Sequence, residues 1–184
     1  MTLTDLAKNF GVDKLFRHSY LPHYERLLGT RNVYRLLEIG IGYKDLMRPF
    51  VPFYIHGASL KMWTTYWPEA EIRACDIRED TLINEGNIRS VVCDQSSGQS
   101  LAEMVFTVTD GLKHKFEVVI DDGSHQFEHQ KLTASVLLPQ VAKGGVYVIE
   151  DCYEDTGSKL AASFGGYTIV GNKCPDDTLV VIER

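Results

Sequence analysis

Apolar and polar residues follow two rhythms along this chain. Short runs rich in aliphatic and β-branched residues occur at Tyr34 to Ile39, Glu71 to Ile77, Arg89 to Cys93, Phe116 to Ile120 and Val146 to Glu150, each ending at or beside an acidic residue or a glycine. Helical spacing intervenes, most clearly from Gln126 to Val141, where Leu132, Val136, Leu137 and Val141 form an apolar stripe and Gly144-Gly145 offers a stop. Strands alternating with helices predict a parallel sheet, because parallel neighbours need a crossover and the crossover helices cover the sheet's apolar faces. Gly166 to Gly171 and Thr178 to Ile182 flank the polar stretch Asn172 to Asp177 and read as a closing antiparallel hairpin. The expected fold is α/β: a Rossmann-like, seven-stranded, mostly parallel sheet with a C-terminal antiparallel hairpin and helices on both faces.

Length and composition narrow this picture. The 184 residues, 44% hydrophobic and 24% charged, suit a single domain over residues 1–184 with an ordinary core. Thr4 to Leu28, with Phe10, Phe16, Tyr20 and Tyr24, reads as helices over the sheet's carboxyl edge; residues 1–30 form either plain core packing or a lid. A net charge of -6 argues against nucleic acid and anionic membranes as partners and favours a small molecule. There is no secretion signal and no apolar stretch near the roughly 20 residues that span a bilayer, so a cytoplasmic protein is expected. Cys75, Cys93, Cys152 and Cys174 form no C-x-x-C pair and read as reduced, mostly buried thiols.

The first strand runs into Glu38-Ile39-Gly40-Ile41-Gly42, where Gly40 and Gly42 permit a tight turn and close approach to a ligand. A dinucleotide fingerprint wants a third glycine where Asp45 stands, which disfavours NAD. Asp76-Ile77 closes the second strand; its carboxylate is placed to accept the hydroxyls of an adenosine ribose, or to serve as a turn or N-cap aspartate. Asp94-Gln95 closes the third strand and offers an acid and an amide to the edge of adenine, although both are common loop residues. Gly57-Ala58-Ser59-Leu60 is either a second amide cluster facing a cofactor's carboxylate or a simple helix start.

The fourth strand ends in Asp121-Asp122-Gly123-Ser124-His125 and the fifth in Glu150-Asp151. Neighbouring strand ends bring such acids together, where a hard cation with oxygen ligands, most simply Mg²⁺, neutralises them. Strand-end acids that cap helices or face solvent are the plainer alternative. His125, three residues past Asp122, has an imidazole suited to take a proton at neutral pH.

Together these motifs, with Gly57-Ala58-Ser59-Leu60-Lys61-Met62-Trp63 and Tyr147-Val148-Ile149-Glu150-Asp151, resemble the class I, metal-dependent macrolide-sugar O-methyltransferases of the mycinamicin and demethylmacrocin type. The resemblance implies S-adenosylmethionine and Mg²⁺ as cofactors, and methylation of a hydroxyl on a sugar or other small natural product. It implies Asp122, Glu150 and Asp151 as metal ligands and His125 as the catalytic base. The cofactor side falls to Glu38, Gly40, Gly42, Ser59, Asp76, Ile77, Asp94 and Gln95, with Asp121 facing the cofactor or supporting the loop. Tyr20, Tyr24 and Tyr153 are candidates to shape the acceptor pocket, and a homo-oligomer is compatible with the family. At this length the chain is expected to lack the additional N-terminal domain of those enzymes.

Two rivals make distinct expectations. His125-Gln126-Phe127-Glu128-His129 matches H-x-x-E-H, the signature of a zinc metallohydrolase, which requires both histidines on one helical face. A non-catalytic S-adenosylmethionine-binding domain would keep the glycine turn without needing the acids.

Overall fold

The computed structural model describes residues 1–184, and it realises the predicted alternation. Seven strands, β1 (Arg35–Ile39), β2 (Glu71–Asp76), β3 (Ile88–Val92), β4 (Phe116–Asp121), β5 (Val141–Cys152), β6 (Tyr167–Val170) and β7 (Thr178–Glu183), form one sheet in the order β3-β2-β1-β4-β5-β7-β6. The first five are parallel; β7 runs antiparallel between β5 and β6, so the terminal hairpin closes the sheet's edge. Because the chain winds outward from β1 to β3 and returns to the other side at β4, a crevice opens beyond the carboxyl ends of β1 and β4.

Alternating strand residues feed two cores. Leu36, Ile72, Ala74, Val118, Ile120 and Val148 face α1 (Leu3–Phe10), α3 (Leu21–Leu28) and α5 (Ala58–Tyr66). Leu37, Ile39, Cys75, Val119, Tyr147 and Ile149 face α6 (Gly98–Val108), α7 (Phe127–Leu137) and α8 (Glu154–Phe164). Two short helices, α2 (Asp13–Phe16) and α4 (Lys44–Met47), flank the crevice. No helix is long and apolar enough to cross a membrane.

The N-terminal segment is integral to the first core: Leu3, Tyr20, Leu21, Tyr24 and Leu28 are all buried in it. Thr2 and Asp5 form a capping box on α1, and Gly11 ends it in the left-handed conformation.

One boundary differs from expectation. The helix predicted to reach Val141 stops at Leu137, because Pro139 offers no N–H and its ring crowds the preceding turn; a short 3₁₀ turn, Leu138–Gln140, follows. Gly144-Gly145 lies inside β5 instead of terminating a helix. There, with Gly144 at φ +77°, the pairing jumps from Phe116 with Val141 to Val118 with Val146, an irregularity that glycine absorbs at low strain.

Candidate functional site

Two adjoining cavities of about 310 and 300 Å³ open at the carboxyl ends of β1, β2 and β4, and Gly40, Asp76, Ile77 and Gly123 border both. Gly40 (φ +89°) is forced to be glycine: a Cβ there would collide with the Asp122 carbonyl oxygen, since the β1 and β4 turns lie against each other. Asp76 fastens the glycine turn, Oδ2 accepting from the backbone of Ile41 at 2.8 Å and Oδ1 from that of Arg78 at 3.0 Å. It is therefore a turn aspartate that also borders the cavities. Its neighbour Ile77, 65% exposed, presents an apolar face where a flat ring can pack. Ser59, just inside α5, borders the larger cavity, and Gly42 turns beside it at φ +72°. The smaller cavity adds Asp94 and Gln95; the Gln95 side chain bridges two segments, its amide donating to Asp121 and its carbonyl accepting from Ser124 N–H at 2.8 Å.

The acid side is built differently. Adjacent strand residues ordinarily point to opposite faces, yet Glu150 and Asp151 both reach the acid cluster. The β5–β7 register slips by one residue between Ile149 and Cys152, and Asp151 adopts φ +55°, so this bulge turns the second acid toward the first. His125, in the turn before α7, shares that strained conformation at φ +55°. Its Nε2 lies 3.3 Å from Asp122 Oδ1 and its Nδ1 lies 3.7 Å from Asp151 Oδ2. One ligand atom from each of Asp122, His125 and Asp151 lies within 4.8 Å of the other two.

The central finding of this cluster is Lys14. Its side chain is fully buried, and Nζ stands 2.7 Å from Asp122 Oδ2, 2.7 Å from Glu150 Oε2 and 3.4 Å from Glu38 Oε1. The ammonium thus joins the carboxyl ends of β1, β4 and β5. Tyr24 donates to the other oxygen of Glu150, and Tyr20 donates to Asp151 Oδ1 at 3.0 Å. Arg17, 3.7 Å from Asp151 and 2.7 Å from Asp176, borders the larger cavity with Asp13.

These contacts set the charges. Burial opposes ionisation of Asp122, but Lys14 and His125 overcome it and hold the carboxyl well below its ordinary value. Burial likewise disfavours His125 as a cation; its hydrogen bond to Asp122 and the charges of Asp122 and Asp151 prevail and push it up to about 9. Asp121 is raised to about 7 by burial, only partly offset by its bonds from Gln95 and Tyr147. Burial also drives Glu150 upward against the pull of Lys14.

Several sequence expectations are redirected. Glu38 borders neither cavity: it is buried beneath the turn, where Trp63 Nε1 donates to it at 2.7 Å. Asp121 is also fully buried and supports the loop through Gln95 and Tyr147. Tyr20 and Tyr24 do not shape an acceptor pocket; they are buried and spend their hydroxyls on the acids, while Tyr153 is exposed outside both cavities. Glu150 is satisfied by Lys14 and Tyr24 and borders neither cavity, whereas Asp122, His125 and Asp151 border the larger one. The H-x-x-E-H reading fails geometrically. His125 precedes α7 and joins Asp122, while His129 borders the smaller cavity and contacts Ser124 Oγ at 3.0 Å. Lys14, Arg17 and His18 were not foreseen. The only local signal is a run of charged and imidazole residues inside an apolar segment.

No protein-family model matches the chain. Mycinamicin VI 2''-O-methyltransferase of Micromonospora griseorubida is 35% identical over 155 residues, covering 82% of this chain and 36% of that protein. L-olivosyl-oleandolide 3-O-methyltransferase of Streptomyces antibioticus is 33% identical over 180 residues, covering 96% and 42% respectively. Demethylmacrocin O-methyltransferase of Streptomyces fradiae is 37% identical over 142 residues, covering 74% and 32%. The chain therefore spans well under half the length of these relatives. Among solved structures, MycE methyltransferase from the mycinamycin biosynthetic pathway, in complex with Mg, SAH and mycinamycin VI, superposes with a TM-score of 0.69 at 33% identity, over 82% of this chain and 37% of that one. The N-methyltransferase NodS from Bradyrhizobium japonicum, at 12% identity and a TM-score of 0.52, shares the fold alone. The chain thus has the Rossmann-like fold of the class I methyltransferases, and its sequence resembles part of the macrolide-sugar O-methyltransferases.

Proposed function

We propose that this chain binds S-adenosylmethionine and, with Mg²⁺, methylates a hydroxyl on the sugar of a small natural product. The observation that carries this reading is the meeting of two features at one sheet edge: a glycine turn bordering two joined cavities, and an Asp122–His125–Asp151 cluster on the wall of the larger.

The nucleoside fits the shared region. Asp76 would face the ribose, Ile77 would pack on the base, Asp94 and Gln95 would read its polar edge, and Gly40, Gly42 and Ser59 would surround the amino-acid portion. The donor set also suits a hard cation, with carboxylate oxygens from Asp122 and Asp151. Glu150, held here by Lys14 and Tyr24, would be the third carboxylate of the set. Such an ion, held by these carboxylates, would supply Lewis-acid charge for lowering the pKa of the acceptor hydroxyl and would weaken the hold of Asp122 and Asp151 on the His125 proton.

His125 then accepts the hydroxyl proton on a ring nitrogen, and the freed acceptor oxygen takes the methyl group as the sulfonium becomes a neutral thioether. Arg17 and Asp13 border the space the acceptor enters. The test is calorimetry with S-adenosylhomocysteine, followed by mass spectrometry of methyl transfer to glycosylated polyketides with Mg²⁺ or with chelator. Cofactor binding and Mg²⁺-dependent transfer are expected. Binding without any transfer would leave a cofactor-binding domain and overturn the catalytic reading.

A further inference from the structure

Outside both cavities, a second cluster converges that the proposed reaction does not use. His18 lies between α2 and α3, while Cys174 and Asp176 lie in the β6–β7 connection. One ligand atom from each is within 4.8 Å of the other two. His18 Nδ1 is 3.4 Å from Cys174 Sγ. A nitrogen and a sulfur sharing one tetrahedral zinc ion, at about 2.0 and 2.3 Å, stand about 3.5 Å apart.

The ring's surroundings point the same way. His18 is 1% exposed and held by stacking on Tyr20, with ring centroids 4.6 Å apart. Its buried Nε2 has no hydrogen-bond partner, although Asp151 Oδ1 lies 3.3 Å away. A proton on Nε2 suits that carboxylate and leaves a lone pair on Nδ1. The lone pair then accepts from the Cys174 thiol at 3.4 Å and faces Asp177 Oδ1, also at 3.4 Å, so a cation in place of the thiol proton meets nitrogen, sulfur and a carboxylate oxygen together. Asp176 accepts from Arg17 at 2.7 Å and has a carboxylate oxygen within 4.8 Å of the Cys174 sulfur.

We propose that His18, Cys174 and Asp176 form a second cation site, for a borderline-soft divalent ion of the zinc type, with water or Asp177 in the fourth position. Binding replaces the Cys174 thiol proton, which leaves to solvent, and forms a metal–thiolate bond. Thiolate and imidazole select this ion over Mg²⁺, which prefers the acid cluster. His18, ligating through Nδ1, keeps Nε2 3.3 Å from Asp151 Oδ1, close to the carboxylate–histidine–metal arrangement found around metal centres.

The test titrates chelator-stripped protein with Co²⁺ while excess Mg²⁺ occupies the acids. The expected result is one equivalent of Co²⁺ bound with a near-ultraviolet thiolate-to-cobalt absorption band, displaced by Zn²⁺. Cys174→Ala removes the band and weakens Zn²⁺ binding at least about tenfold; Cys174→Ser, closest in shape, does the same should the alanine variant fold poorly. Absence of the band in the natural chain would overturn the proposal, the cluster then being a metal-free set of packed polar side chains. Persistence of the band in a folded Cys174 variant would overturn it equally. Because the readout is thiolate ligation and not methyl transfer, it is independent of the proposed reaction.

Discussion

The two halves of the crevice solve opposite problems. At β1 and β2 the site is made by removal: glycines clear space, the backbone turns tightly, and the single carboxylate Asp76 pins the turn from within hydrogen-bond reach. At β4 and β5 the site is made by accumulation, with Asp122, Glu150 and Asp151 crowded together, balanced by the Lys14 ammonium and the neighbouring His125, and hydrogen-bonded by Tyr20 and Tyr24 from the N-terminal segment. The cofactor half needs only its own strand ends to be correct. The acid half needs three remote stretches of chain to be correct at once, so a lost partner damages it far more.

The harshest test of that asymmetry is Lys14→Met. It leaves Glu38, Asp122 and Glu150 without their shared cation, and removing one partner from a buried ion pair costs about 3–5 kcal/mol. Denaturant unfolding in the presence of chelator measures the loss. Lys14→Met combined with Glu150→Gln is expected to recover part of it, because one uncompensated charge disappears with the cation. A loss under about 1 kcal/mol in the single variant would mean that the acids are already relieved by protonation or solvent, and the contrast drawn above would fail.

A change confined to chemistry separates the halves next. His125→Ala is expected to lower methyl transfer about a hundredfold or more while S-adenosylhomocysteine affinity barely moves, because the imidazole borders the acid cluster and not the smaller cavity. The reverse pattern belongs to Asp76→Ala. Cofactor affinity should weaken about tenfold, equivalent to about 1.4 kcal/mol, while Mg²⁺ binding at the acids is retained. Parallel calorimetry on the two variants reads both effects, and equal losses of cofactor affinity would show the halves to be one coupled unit.

The same asymmetry explains what was legible in the sequence. Strand positions and the crevice followed from short β-rich apolar runs and glycine placement, which are local signals; the seven expected strands all form, and Gly40 and Gly42 both sit at positive φ. The helix end at Leu137 was also local, and Pro139 outweighed the apolar stripe that continued past it. The acid half was legible only as a list of acids. A lysine buried at 0% exposure carries no mark in its own neighbourhood, since what keeps it there lies 108 and 136 residues away at Asp122 and Glu150. The surroundings of Glu38 are hidden for the same reason: its motif locates it at the turn, while the bond from Trp63, on another element, holds its side chain behind the cavity wall.

The gentlest probe is pH, and it acts on the acid half alone through His125. In the folded chain without a divalent ion, Asp122 and Asp151 push this imidazole up to about 9 from an ordinary value of 6.5. A raised value means that the folded form holds the proton more tightly than the unfolded one. The resulting stability is therefore fully present below about pH 6.5 and is lost as pH rises through about 9. With the side chain 35% exposed, solvent screens the interaction, which makes this the smallest of the expected effects. Unfolding measured from pH 6 to 10 with chelator should show the decline in the natural chain and lose this component in His125→Gln. Saturating Mg²⁺ should shrink it too, because an ion on Asp122 and Asp151 removes the charges that hold the proton. A decline that persists unchanged in His125→Gln would assign the titration to another group and detach His125 from the carboxylates it is drawn beside.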